Sequence, residues 1–148
     1  AVAQAHAAGS GLDITYEAVA AETLAERGQL YDVVLNMEVV EHVADLSGFL
    51  AACTALVRPG GVMVVATINR TPLAWLVAIL GAEYILRWLP KGTHQYRKLR
   101  KPAEVAAALN RGGLSVVDRT GVAINPLTRR FRYTRLRAVN YMLTAVRT

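Results

Sequence analysis

Cysteine is almost missing from this sequence. Cys53 is the only one, so no internal disulfide can form and the fold must stand on its apolar core. Cys53 lies in the apolar run Phe49–Val57 and reads as a small buried hydrophobe, inert as a thiol. The lack of disulfides fits a reducing cytoplasm. The first residues have neither a basic start nor the apolar run of a secretory leader. No apolar stretch reaches the length of a membrane span without charges. The longest, Leu73–Leu89, is interrupted by Glu83 and Arg87 and would reach only ~26 Å as a helix. Acidic residues are scarce in the second half. Residues 1–69 carry 2 Lys/Arg and 8 Asp/Glu, whereas residues 70–148 carry 15 and 3.

The hydrophobic share is 53%, ample for a core and incompatible with a disordered chain. The basic second half calls for an anionic partner, phospholipid or nucleic acid, or else is a solvated basic face. Arg129, Arg130, Arg132, Arg135 and Arg137 are interleaved with Phe131 and Tyr133. No RNA or DNA motif accompanies them, so no nucleic-acid partner is expected.

Ala1–Ala8 reads as helix and Leu12–Tyr16, by its alternation, as a short strand. Glu22–Arg27 reads as a helix closed by Gly28. The near-continuous apolar run Tyr31–Met37 fits a buried parallel strand covered on both faces. Val43–Val57 has apolar residues at helical spacing, Arg58-Pro59-Gly60-Gly61 breaks the chain, and Val62–Ile68 is a second buried strand. That is a βαβ unit. Pro102 opens a helix over Ala103–Leu109. Leu114–Val122 and Val139–Val146 read as closing strands. The whole is one α/β unit, residues 1–148. Its sheet is mostly parallel and ends in an antiparallel hairpin.

Tyr31–Met37 stops at a chemically dense stretch. Glu38, Glu41 and His42 stand at relative positions 0, 3 and 4. A helix beginning near Glu38 would put all three on one face, a set able to hold a divalent cation. The bland alternative is a pair of helix N-terminal acids with a hydrogen-bonded histidine beside them. Asn69 ends the second strand and either orients a ligand or caps the segment that follows. Met37–His42 and Asn69–Arg70 both follow strand ends, so they should share the rim where ligands of such sheets bind.

Three stretches carry a resemblance. Tyr31–Val43, Leu56-Val57-Arg58-Pro59-Gly60-Gly61 and Ala66-Thr67-Ile68-Asn69-Arg70 resemble class I S-adenosylmethionine (SAM) methyltransferases, whose fold is Rossmann-like. Gly81-Ala82-Glu83-Tyr84-Ile85-Leu86, Pro90-Lys91-Gly92-Thr93-His94 and Asn140-Tyr141-Met142 narrow this to the ubiquinone-biosynthesis O-methyltransferase family. The similarity runs from about Tyr31 to Met142. It implies SAM-dependent O-methylation of a polyprenyl catechol or hydroquinone, assisted by a divalent metal such as Mg2+.

By that resemblance Glu38, Glu41 and His42 are metal ligands, and Asn69 and His94 are catalytic candidates. Met37 is a cofactor contact, unless it is a core methionine. Tyr16-Glu17-Ala18 would edge the adenine. His94 has the alternative of a solvated loop residue. The glycine-rich turn and ribose acid of such enzymes have no counterpart before Tyr31. The chain therefore reads as an N-terminally truncated, C-terminal part of such an enzyme, lacking the first strand and glycine loop and inactive alone.

Residues 71–101, apolar and then basic, read as a lid between membrane and substrate, with Trp75, Tyr84 and Trp88 suited to a headgroup boundary. Lys91, Arg97, Lys98, Arg100 and Lys101 would favour anionic phospholipid. The alternative for Leu73–Leu89 is a core helix. The expected location is cytoplasmic and peripheral on the inner membrane, with a ubiquinone-biosynthesis complex as a further partner. The rival reading is a non-catalytic membrane-binding module with the same fold.

Overall fold

A computed structural model of the protein describes residues 2–77, 96–125, 128 and 130–148. His94, the Glu83/Arg87 pair, Tyr84, Trp88 and Lys91 lie outside the described residues, as does most of the apolar segment Leu73–Leu89.

The described elements run α1 (Val2–Gly9), α2 (Ala21–Glu26), β1 (Tyr31–Met37), α3 (Leu46–Ala55), β2 (Val57–Ile68) and α4, a single turn (Pro72–Ala74). A 3-10 turn at Tyr96–Lys98 follows, then α5 (Pro102–Arg111), β3 (Leu114–Ile124), β4 (Phe131–Thr134) and β5 (Asn140–Arg147). The five described strands form one sheet in the order β1-β2-β5-β3-β4. β1 pairs with β2 in parallel. β5 is inserted antiparallel between β2 and β3, and β4 folds back on β3. β1, β2 and β3 therefore run one way and β4 and β5 the other. The α/β sheet with a C-terminal antiparallel part is as expected, but it is mixed rather than mostly parallel: among the described strands only β1 and β2 pair in parallel.

Helix α3 begins three residues later than its apolar periodicity suggests. Asp45 is its N-cap, with the carboxylate accepting from Ser47 N–H at 3.0 Å. Helix α5 starts with Pro102 at its first position, and Glu104 Oε2 accepts from Lys101 N–H at 3.0 Å. The core lies between α3, α5 and one face of the sheet. It is built from Val40, Leu50, Cys53, Val57, Met63, Val65, Val105, Leu109, Leu114, Tyr141, Leu143 and others. Cys53 is buried there as expected, and burial pushes its thiol up to about 11.

Several expectations need correction. Leu12–Tyr16 forms no ladder; a strand needs a hydrogen-bonding neighbour, and β1, the sheet edge, pairs only with β2 among the described residues. β1 is covered on one face, not two. Asn36 is buried and Val34 half-buried, while Val33, Leu35 and Met37 are 54%, 66% and 46% exposed. No helix begins at Glu38. That residue has φ 55, and Val40–His42 form a turn closed by His42 N–H donating to Val39 O at 2.8 Å. A left-handed residue cannot open an α-helix. The break at Arg58–Gly61 is a bulge inside β2. Val57 stands opposite Tyr31, and the register resumes with Val62 opposite Val33. Gly61 is required there, because a Cβ would come within 2.9 Å of Asp32 O and Arg58 O.

Candidate active site

The parallel pairing of β1 with β2 sets Met37 opposite Ala66. The residues that follow each strand therefore meet at one end of the sheet, as strand-end reasoning expects. Glu38 N–H donates to Ala66 O at 2.8 Å, which extends the ladder by one bond before the chain turns left-handed. The turn carries Val40 into the core and buries Glu41, which is 2% exposed.

Glu41 has one satisfied oxygen and one orphan. Thr67 Oγ1 donates to Glu41 Oε2 at 2.8 Å, while Oε1 is buried with no hydrogen-bond partner. Thr67 is itself fully buried and stands opposite Tyr141 in the β2/β5 ladder. Loss of water contact, then the Glu41 charge and a hydrogen bond with it, push the Glu38 carboxyl up to about 8. Glu38 therefore holds a proton at neutral pH. Two carboxyls that resist joint ionisation are a place for one proton or one cation. His42 Nε2 lies 4.0 Å from Glu41 Oε1 and its ring is half-exposed. Among the described residues, no three His, Cys, Asp or Glu side chains stand as a formed metal cage. The motif thus brings its two carboxyls together and leaves the imidazole at their edge.

Asn69 sits close by but is tied elsewhere. It is 8% exposed, its Nδ2 donates to Arg137 O at 2.8 Å, and its N–H donates to Val139 O at 2.9 Å. Its Oδ1 is buried without a partner. The helix cap expected of it belongs to Thr71, whose Oγ1 accepts from Ala74 N–H at 3.0 Å. Met37 ends β1 largely exposed and so is not a core methionine. Tyr16 is exposed and Glu17 pairs with Arg27 at 2.6 Å.

Three groups join the rim that strand-end reasoning did not single out as site residues. Thr67 is one. Tyr141 is another, 1% exposed, donating to Arg100 O at 3.1 Å, its phenol pushed far up by burial and then by Glu104 and Glu41. The third is the Arg70–Glu104 ion pair, which fixes the end of β2 to the start of α5. The available signal was a polar residue within an apolar strand, Thr67 between Ala66 and Ile68.

This sheet, with its ligand-type rim at the strand ends, defines a Rossmann-like α/β protein. Residues 3–119 match the model of a methyltransferase domain family, and the chain belongs to that family. More particularly, it is 59% identical over 146 residues to the ubiquinone biosynthesis O-methyltransferase of Brucella anthropi. It is 55% identical to the protein of that name from Sinorhizobium fredii. In both cases the match covers 99% of this chain and 59% of the relative, so the chain spans about three fifths of their length.

Solved structures agree on the fold. Magnesium protoporphyrin IX methyltransferase from Synechocystis PCC 6803, with bound SAH, is similar at TM-score 0.53 and 23% identity. That match covers 84% of this chain and 48% of that one. The [4+2]-cyclase SpnF reaches TM-score 0.65 at 12% identity, covering 99% of this chain and 61% of that one. Neighbours as different as a methyltransferase and a [4+2]-cyclase show that the sheet alone does not choose the reaction.

Proposed function

We propose that the chain is part of a SAM-dependent O-methyltransferase acting on a polyprenyl catechol or hydroquinone in ubiquinone biosynthesis. The observation that carries this is 55–59% identity across nearly the whole chain to proteins of that name. The buried Glu41 with Glu38 beside it at the strand ends supports it, because the pair supplies proton-holding groups where ligands of this fold bind.

The residues present fit a divalent cation in part. Glu41 Oε1 is an orphan acceptor among the described residues, and the Glu38 carboxyl beside it resists ionisation. Glu38 and Glu41 would hold the ion, with His42 closing on it from the rim. A bound divalent cation, Mg2+ being the candidate, would lower the pKa of a substrate hydroxyl. Thr67 fixes the Glu41 carboxylate, and Glu38 holds or accepts a proton near pH 8. Asn69 Oδ1 is an acceptor available to orient a hydroxyl, and His94 remains a candidate base. Met37, exposed at the end of β1, is available to an adenine ring.

Segment 71–101 would seat the enzyme peripherally on the inner membrane, where a polyprenyl substrate is dissolved. Leu73, Trp75, Leu76 and Val77, at its start, are exposed. No described helix is long and apolar enough to cross a membrane.

The test is transfer of a labelled methyl group from SAM to a polyprenyl catechol, with Mg2+ and with excess chelator. Transfer that needs Mg2+ supports the full reading. Transfer that ignores the chelator removes the metal from it, and SAM binding without transfer to any catechol overturns it. The reading treats this chain as part of the enzyme, so the assay is run on a protein of the relatives' length as well as on the chain alone.

A further inference from the structure

Two exposed apolar patches, remote in sequence, are joined at one corner of the fold. Asn69 N–H donates to Val139 O at 2.9 Å, Asn69 Nδ2 donates to Arg137 O at 2.8 Å, and Thr71 Oγ1 donates to Ala138 O. These bonds stitch the chain leaving β4 to the chain leaving β2. On one side of the seam stand Leu73, Trp75, Leu76 and Val77, all exposed. On the other stand Phe131, Tyr133 and Leu136, at 70%, 76% and 59% exposure. Gly121 allows the close approach that holds this loop down, since a Cβ there would meet Leu136 O at 2.0 Å.

The same corner is cationic. Arg130, Arg132 and Arg135 are exposed, and among the described residues no carboxylate pairs with any of them. Arg137 Nη1 donates to Arg119 O at 3.0 Å, which adds a fourth guanidinium. Asp118 is the only acid between Leu114 and Thr148. Unpaired cations beside large exposed apolar side chains cost stability through self-repulsion and hydration, so the surface suits an anionic, partly apolar partner. Stacking on bases would use Phe131 and Tyr133 but gives no role to Leu136, Leu73, Leu76 or Val77. An anionic bilayer uses both kinds of side chain.

We propose that the β3–β4 hairpin and the loop to β5 form a docking surface for anionic phospholipid. Arg130, Arg132 and Arg135 meet the headgroups, and Phe131, Tyr133 and Leu136 enter the headgroup boundary. This surface adjoins the start of segment 71–101 across the seam, and it is independent of the methyl-transfer reading.

The experiment is co-sedimentation with vesicles of equal parts phosphatidylcholine and phosphatidylglycerol, against pure phosphatidylcholine, with segment 71–101 unchanged. R130Q/R132Q/R135Q should weaken binding to the anionic vesicles by about tenfold or more at low salt. The charge-keeping R130K/R132K/R135K should bind like the parent. F131S/Y133S/L136S should weaken binding at every salt concentration. All of these side chains are exposed, so circular dichroism should stay that of the parent.

The proposal is overturned if the parent stays in the supernatant with anionic vesicles, or if folded hairpin variants bind as it does. Loss of binding only on replacing Leu73 and Trp75 overturns it as well and assigns the contact to segment 71–101. Displacement of the protein from vesicles by a duplex oligonucleotide, with the same arginines responsible, assigns the surface to nucleic acid instead.

Discussion

Thr67 donates a 2.8 Å hydrogen bond to Glu41 in the buried rim of the sheet, and these residues are 26 apart in sequence. It satisfies Oε2 of the Glu41 carboxylate, whose Oε1 is buried with no hydrogen-bond partner among the described residues. Thr67→Val should therefore take a hydroxyl donor away from a buried carboxylate and destabilise the fold by about 1–3 kcal/mol. Thr67→Ser should recover most of that. Urea denaturation of the two variants checks it; equal midpoints for Val and Ser would show that the hydroxyl is dispensable.

Stability should fall as pH rises from about 5 to 8 through the Glu38 contribution. Its carboxyl sits near 8 in the fold, against an ordinary value of 4.5. Over that window the unfolded chain has released the proton and the folded chain still binds it, so ionisation favours unfolding. Glu38 keeps part of its surface in solvent, which reduces the size of the effect. Glu38→Gln should flatten the melting temperature across the window, and scanning calorimetry at several pH values reads this directly. A parent curve already flat there would contradict the assignment.

Gly112 closes α5 against Thr54 of α3, where an added Cβ would lie 2.2 Å from Thr54 Oγ1. Gly112→Ala should cost about 1–3 kcal/mol by overpacking. Thr54→Ala in the same chain should return part of the loss, because it removes the atoms being struck. A double-mutant cycle in urea gives the coupling, and additive effects would mean the two helices part without resistance.

Asp45 caps α3 through Ser47 N–H. Asp45→Ala should lower stability by about 1 kcal/mol, and Asp45→Asn by much less. Thermal melts of both variants discriminate a capping role from a purely electrostatic one, in which Asn would fail as Ala does.

The strands and helices were legible wherever local pattern and covalent geometry decide them. Tyr31–Met37 is the strand its apolar run indicates. Pro102 and Gly112 bound α5 because proline lacks the donor that a first turn does not need and because α5 runs up against Thr54. The grouping of Glu38 with Glu41 was also present in the residue order. The means was not: helical spacing suggested one face, whereas a left-handed Glu38 and a tight turn bring the carboxyls together.

What the sequence determined by itself is most of the elements, though not β4 or the absence of a strand at Leu12–Tyr16, together with the apolar core with its inert Cys53, the charge imbalance between the halves, and the family-type motifs. Tertiary structure alone decided the insertion of β5 between β2 and β3, which brings Tyr141 opposite Thr67. It also decided the seam from Asn69 and Thr71 to Arg137–Val139 and the exposed face of β1. Those features depend on hydrogen bonds and burial between residues dozens of positions apart, and a local pattern of hydrophobicity carries no information about which distant partner a strand or side chain will meet.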